Sequence, residues 1–285
     1  MRVGINPIQW PREQPLDEVA EVVSELGYSG IEGAREYLGR GADLRLLLDD
    51  CGLELTGGYY AANWFDRDWR PRELKVLREL AEFYASLGAR FMVVGNLGSP
   101  SRFRTAGHMP QGRNDGLTDY QWGFFTESIS LAGEICLEEF DLRLVFHNHA
   151  GTFVETAEEI DRLLKMSNPA TVFLCADTGH LFYGGVDPAD FFERNIQRIK
   201  YVHLKDVDAD VFEQAMAARA SFREFVEMDG FPEVGAGLID FEAIFEILQR
   251  SRYEGWVVVE QDYTSKDPAV AAGASIEYVN GKIGV

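Results

Sequence analysis

Short apolar runs alternate with amphipathic stretches along the chain, and this alternation restricts the possible folds more than any other feature. Runs with the length of β-strands cover residues 2–6, 28–32, 53–57, 90–96, 142–149, 171–177, 199–206 and 256–262. Helical patterns follow them at residues 15–27, 42–51, 71–87, 120–140, 155–166, 188–195, 241–251 and 268–278. Strict alternation predicts parallel strands joined by right-handed crossovers. Eight such units favour an α/β fold, a closed (β/α)₈ or TIM barrel, over an open sheet.

We expect residues 1–285 to form a single domain, because a barrel of this kind typically needs about 250 residues. Two connections are unusually long. Residues 97–119 follow the fourth predicted strand, and residues 207–239, which contain a helical stretch, follow the seventh. Connections that follow strands lie on the barrel face where active sites occur, so both segments are predicted to form its top. Within the first, a group of basic side chains is expected to be solvated, with phosphate or carboxylate binding as the alternative: Arg102, Arg104, His108 and Arg113.

The composition excludes some partners. The formal net charge is −20, from 27 basic and 47 acidic residues, and such a chain repels nucleic acids and anionic membrane surfaces. No apolar stretch approaches the roughly 20 residues needed to cross a bilayer. The cysteines Cys51, Cys136 and Cys175 are scattered and form neither a disulfide framework nor a CxxC site. We expect a cytoplasmic protein with reduced thiols that acts on a small molecule, with a homo-oligomer as one possible assembly.

The histidines carry the strongest signal of function. Of five in the chain, four fall at the carboxyl ends of predicted strands: His147, His149, His180 and His203. Residues two apart on a strand share a face, so His147 and His149 are both predicted to point into the barrel. His180 is expected in the turn after the sixth strand.

Consecutive strands bring their ends to one pocket, so a mixed set of imidazoles and carboxylates should meet there: His147, Asp177, His203 and Glu260. Such a set suits a divalent ion of borderline character. Lys205 shares a strand face with His203, and Asp262 shares one with Glu260. The alternative is that each histidine is a hydrogen-bonded core residue.

Further positions at strand ends and in the following loops are candidates for substrate binding: Asn6, Glu32, Asn96 and Trp10. Trp10 and Trp64 could stack on the apolar face of a sugar, with packing at the rim as the alternative. Glu32 could equally be a solvated loop carboxylate.

The motifs FHNHAGT, DTGH, YVHLKDV, VGAGLIDF and YEGWVVVEQD together resemble the xylose isomerase-like barrel superfamily of sugar isomerases, epimerases and dehydratases. Within it, the chain looks most like the inosose dehydratase subgroup. The resemblance implies one divalent metal, Mn²⁺ or Co²⁺ with Zn²⁺ or Mg²⁺ as alternatives, held by His147, Asp177, His203 and Glu260. It also implies that His149, His180 and Lys205 contact substrate.

One departure from the resemblance bears on the reaction. Epimerases of the superfamily usually carry a glutamate where this chain has His147, so a symmetric exchange of a proton between two glutamates is not expected. We therefore expect dehydration of a polyhydroxylated ketone, a keto-inositol in the first place. Glu260, His149 and Lys205 are the candidate bases, and His180 or His203 the candidate acid. A ketose isomerase or epimerase is the alternative, and a non-catalytic sugar-binding barrel is a third possibility.

Overall fold

The computed structural model describes residues 1–108 and 115–283, and over these ranges the chain forms a ring of parallel strands surrounded by helices. The strands are β1 Arg2–Asn6, β2 Gly30–Ile31, β3 Glu54–Leu55, β4 Gly58–Ala62, β5 Phe91–Asn96, β6 Arg143–His147, β7 Val172–Asp177, β8 Ile199–Leu204 and β9 Trp256–Glu260. The helices are α1 Leu16–Glu25, α2 Gly41–Cys51, α3 Arg70–Ser86, α4 Pro100–Thr105, α5 Asp119–Phe140, α6 Ala157–Met166, α7 Thr178–Tyr183, α8 Pro188–Asn195, α9 Ala209–Ala218, α10 Phe222–Glu227, α11 Phe241–Arg250 and α12 Pro268–Ile283.

The strand order is β3-β2-β1-β9-β8-β7-β6-β5-β4. β3 and β4 are two halves of one bent segment: the first half pairs with β2 and the second with β5, which closes the ring. The predicted (β/α)₈ barrel is confirmed, but the predicted third strand, residues 53–57, covers only its first half. Gly58 begins the second half, where a Cβ would lie 1.9 Å from the ring of Tyr84. Such close packing of a helix against a strand permits only glycine.

Local sequence signals explain where several helices begin and end. The side chain of Thr156 accepts a hydrogen bond from the Glu159 amide, and Glu159 caps the Thr156 amide in return, so α6 begins with a capping box. Pro188 occupies the first turn of α8 behind the capping residue Asp187. Gly52 ends α2 with a φ of 64°, a left-handed conformation that glycine adopts at little cost.

The long connections contain more structure than the sequence predicts. α4 lies in the segment 97–119, of which residues 109–114, including Arg113, fall outside the described residues. In the segment 207–239, the expected single helical stretch is divided into α9 and α10, because Arg219 takes a left-handed φ of 52° and Ser221 caps the second helix. Both segments follow strands on the predicted face of the barrel. No helix in the described ranges is long and apolar enough to span a membrane.

The interior of the ring is filled below the strand ends by a small apolar cluster of Phe91, Val93, Val145, Cys175, Tyr201, Trp256 and Val258. Residues two positions further along a strand share its face. His147, Asp177, His203 and Glu260 stand two residues beyond Val145, Cys175, Tyr201 and Val258, respectively. The polar residues therefore form the layer directly above the apolar floor of the barrel.

Candidate metal centre and its cavity

Four potential ligands from four neighbouring strands meet at the top of the barrel: His147 on β6, Asp177 on β7, His203 on β8 and Glu260 on β9. One donor atom from each lies within 4.8 Å of the others. Asp177 Oδ2 is 3.4 Å from His147 Nε2 and 3.7 Å from His203 Nδ1, and His203 Nδ1 is 2.5 Å from Glu260 Oε2. The structure thus brings together all four residues that the sequence predicts as ligands.

Several atoms of this group are buried without a hydrogen-bond partner. They are both ring nitrogens of His147 and Oδ2 of Asp177. Burying a polar atom without a partner is costly unless something else satisfies it. Because His147 Nε2 and His203 Nδ1 lie 3.4 Å and 3.7 Å from Asp177 Oδ2 and the group combines imidazole with carboxylate, the donor set fits a divalent metal ion.

His203 is oriented from behind by Glu32. Its Nε2 lies 2.9 Å from Glu32 Oε2, and Asn6 Nδ2 donates to Glu32 Oε1 at 3.1 Å and to Glu260 Oε2 at 3.4 Å. A carboxylate that accepts from the far nitrogen of a ligating histidine fixes the ring and its tautomer. Asn6 and Glu32, predicted to bind substrate, do line the cavity, but Asn6 Nδ2 and the Glu32 carboxylate are engaged in holding the predicted ligands.

Lys205 is completely buried beside the carboxylates. Its Nζ lies 3.2 Å from Glu260 Oε1 and 4.0 Å from Asp177 Oδ2, and it donates a hydrogen bond to Asp262. Burial alone lowers the pKa of Lys205, but Asp262, Glu260 and Asp177 together raise it above its usual value. The side chain does not line the cavity, and these carboxylates favour its cationic form, so its role as a base stays a prediction. Lys205 neutralises the carboxylates around it.

The pKa of Glu260 is set by competing effects. Burial raises it, while His203 and Lys205 lower it further than burial raises it, so the carboxyl pKa lies well below its ordinary value. The carboxylate form is therefore available as an oxygen ligand. Asp262, which the sequence places on the same face without assigning it a role, also lines the cavity. Its two-residue spacing from Glu260 was the signal that could have identified it.

His149 lies half-buried at the edge of the centre and lines the cavity. Burial lowers the pKa of its imidazole to about 4, with a further contribution from His147. Its Nδ1 lies 2.7 Å from the carbonyl oxygen of Ala150. A carbonyl only accepts, so Nδ1 carries the proton and Nε2 keeps a lone pair. His149 is thus a neutral imidazole with one free acceptor.

His180 occupies a different place from the one predicted. It belongs to the helix α7 and not to a turn, because Oδ1 of Asp177 accepts from the His180 amide at 2.8 Å and caps that helix. Its ring stacks behind His149, with centroids 3.8 Å apart, and is fully buried without lining the cavity. The predicted contact of His180 with substrate therefore stays a prediction.

The cavity above these residues has a volume of about 1200 Å³. The strand ends form its floor, while Phe103 from α4 and Phe222 and Val226 from α10 form an apolar wall. The Phe222 ring lies 5.4 Å from that of His149. The sequence predicted that both long segments would cover the site, but it contained no signal for these particular side chains.

Three predicted substrate contacts lie elsewhere. Asn96 ends β5 with its side chain buried, and Trp10 packs into the core beside a neighbouring depression near Tyr37; neither lines the cavity. Trp64 is fully buried and its indole nitrogen donates to the Gly95 carbonyl at 2.9 Å, so it packs in the core instead of facing a sugar. The first residues after a strand can turn outward or inward, and the strand pattern does not determine which.

The basic side chains of the first long connection, predicted to be solvated, are only partly so. Arg102 is 1% exposed; it donates to both oxygens of Glu159 at 2.7 Å and to the Thr152 carbonyl at 2.7 Å. Arg104 is exposed, as expected, and the His108 ring contacts the Ala220 carbonyl at 2.8 Å. Arg102 thereby fastens α4, which carries Phe103, to the turn after β6 and to α6.

The chain is similar to known proteins in both sequence and fold. The model of the xylose isomerase-like TIM barrel family matches residues 20–281. The inosose dehydratase of Geobacillus kaustophilus (strain HTA426) is 37% identical over 278 residues, which cover 95% of this chain and 89% of that protein.

Two crystal structures have the same fold. The 3-keto-D-glucoside 4-epimerase YcjR of E. coli superposes with a TM-score of 0.76 at 18% identity and covers 99% of both chains. The IOLI protein, whose structure contains a zinc atom, superposes with a TM-score of 0.77 at 15% identity and covers 99% of this chain and 98% of its own. From the match over most of its length, the chain belongs to the xylose isomerase-like TIM barrel family.

Proposed function

We propose that the chain is a metal-dependent hydro-lyase that removes water from a polyhydroxylated ketone, with a keto-inositol as its substrate. The observation that carries this proposal is the convergence of His147, Asp177, His203 and Glu260, of which His147, His203 and Glu260 line the cavity. The similarity to an inosose dehydratase along nearly the whole chain supports the substrate and the reaction.

His147, Asp177, His203 and Glu260 are the proposed ligands, and Mn²⁺ or Co²⁺ is the proposed ion. A divalent ion at such a centre supplies Lewis-acid stabilisation of the negative charge that develops on a ketone oxygen as the α-proton leaves. The zinc atom in the IOLI protein supports divalent metal binding on this fold and makes Zn²⁺ the alternative ion.

His149 is the proposed base. It lines the cavity, is neutral near pH 7 and keeps a free lone pair on Nε2, as a group that removes the α-proton must. The imidazolium that results can donate the same proton to the departing β-hydroxyl. The carbon–hydrogen and carbon–oxygen bonds are then both broken, one water molecule leaves, and His149 returns to its initial state.

Lys205 and Asp262 are assigned supporting roles. Lys205 offsets the negative charge of the carboxylates from a buried position, and its contact with Asp262 fixes that side chain at the cavity wall. Asp262 is placed to accept hydrogen bonds from substrate hydroxyls. Phe103 and Phe222 exclude water from one side of the cavity.

Incubation of the metal-loaded protein with keto-inositols and ketoses, followed by mass spectrometry, tests the proposal. A product lighter by one water molecule, with new ultraviolet absorbance from a conjugated ketone, is the expected result. A product of unchanged mass, with an inverted stereocentre or a carbonyl group at another carbon, would make the chain an epimerase or isomerase. Tight binding of a keto-inositol without any turnover would favour a sugar-binding barrel.

A further inference from the structure

A second group of potential ligands overlaps the proposed centre: His147, Cys175 and His203. Their side-chain nitrogen and sulfur atoms lie within 4.8 Å of one another, and all three residues are buried. We propose that the chain has a second mode of metal binding, in which a thiophilic ion such as Cd²⁺ is held by His147, Cys175 and His203.

The strand pairing explains why Cys175 reaches the histidines. His147 on β6 is directly paired with Cys175 on β7, and Asp177, two residues further along β7, is paired with His203 on β8. Cys175 and Asp177 therefore share the inward face, with the thiol one layer deeper than the carboxylate. An ion bound by the thiol lies nearer to the apolar floor, and further from the cavity, than one bound by Asp177 and Glu260.

A second observation points to a ligand here independently of the cysteine. Both ring nitrogens of His147, a residue only 2% exposed, have no hydrogen-bond partner. The remaining side chains of the apolar floor around Cys175 are Phe91, Val93, Val145, Tyr201, Trp256 and Val258. The phenol of Tyr201 is already bonded to Thr56, so it is not a competing donor for the histidines.

Donor chemistry separates the two modes. Hard ions such as Mn²⁺ and Mg²⁺ prefer the oxygens of Asp177 and Glu260, whereas thiolate ligands select soft ions. Binding to Cys175 replaces the thiol proton, which is released to solvent, and no electron is transferred. Because both modes use His147 and His203, they exclude each other, so a thiophilic ion should inhibit an enzyme that depends on a hard one. This inference shares two ligands with the proposed function, but it does not depend on which reaction is catalysed.

Ultraviolet spectroscopy of the full-length protein, stripped of metal by a chelator and titrated with Cd²⁺, tests the inference. A sulfur-to-cadmium charge-transfer band should grow up to one equivalent of Cd²⁺ and should be absent from Cys175→Ser. The matched controls are Cys136→Ser, a second buried cysteine, and Cys51→Ser, a half-buried one; both should retain the band. Persistence of the full band in a folded Cys175→Ser protein would overturn the proposal.

X-ray absorption on the Cd²⁺-loaded wild-type protein gives a result that does not depend on any variant folding. One sulfur and two imidazoles are expected around the ion, and a shell without sulfur would overturn the proposal. Mn²⁺ binding, measured in parallel, separates the two ideas. Retained Mn²⁺ binding without a cadmium–sulfur signal would overturn only the second mode of metal binding. A cadmium–sulfur signal without Mn²⁺ binding would count against the oxygen-ligated centre alone.

Discussion

The Nε2 atom of His203 donates a hydrogen bond to Oε2 of Glu32 at 2.9 Å, although the two residues lie 171 positions apart in the chain. The bond leaves Nδ1 of His203 directed at Glu260 and Asp177. Glu32 is therefore the residue that holds a proposed ligand in the tautomer and orientation that a metal ion requires.

Replacing Glu32 by glutamine should weaken metal binding about 10- to 100-fold, because the amide keeps the shape of the side chain but loses the negative charge behind the imidazole. Competition with a chelator of known affinity measures the change. Glu36→Gln is the matched control, since Glu36 lines the same cavity but is exposed and is not bonded to His203. Equal metal affinity in the two variants would show that Glu32 does not orient the ligand.

Asp177 has two tasks that one substitution separates. Its Oδ1 caps α7 by accepting from the His180 amide, while its Oδ2 faces His147 and His203. Asn caps helices about as well as Asp, so Asp177→Asn should remain folded while losing the anionic ligand. Elemental analysis is expected to show loss of bound Mn²⁺ or Co²⁺, with circular dichroism unchanged.

The control for this substitution is Asp187→Asn, which alters the capping residue of α8 away from the cavity. It should bind metal as the wild-type protein does. Full metal occupancy in Asp177→Asn would remove Asp177 from the ligand set, and unfolding of both variants would show that the change reports on capping alone.

The elements of the barrel were predictable because their signals are local. A strand or a helix shows its period within about ten residues, and parallel strands bring their ends to one face whatever the details of packing. For this reason the sequence placed His147, Asp177, His203 and Glu260 together correctly. The same reasoning missed α7, because Asp177 reads as the end of a strand while its side chain also begins a helix.

Contacts between distant segments were not predictable in this way. The Glu32–His203 bond depends on the closure of the ring, and the wall formed by Phe103 and Phe222 depends on how two long connections fold over it. Trp10 shows the converse: it follows β1 at the correct end of the barrel, yet it packs into the core. In such cases tertiary packing decides the direction of the side chain.

Arg102 stabilises the fold through buried contacts that the composition of the chain does not reveal. It is buried in a chain with a net charge of −20, and its bidentate contact with Glu159 ties α4 to α6. Arg102→Gln should lower the free energy of unfolding by about 3–5 kcal/mol, because it removes the buried cation that faces the carboxylates of Glu155 and Glu159. Urea denaturation measures this. The exposed Arg104→Gln in the same helix should change it by less than about 0.5 kcal/mol, and equal losses would contradict this account.

His149 provides the sharpest test of the proposed chemistry. Its Nδ1 is engaged by the Ala150 carbonyl, so the proton must be taken by Nε2, which glutamine cannot replace as a base. His149→Gln should lower kcat by about 100- to 10,000-fold while the protein retains its metal, since His149 is not among the four proposed ligands. Steady-state kinetics and elemental analysis on the same sample separate catalysis from metal loss.

His108→Gln, which changes a histidine outside the cavity, should leave both values near those of the wild type. A His149→Gln protein with unchanged kcat would transfer the role of base to another residue, and Glu260 would then be the remaining predicted base that lines the cavity.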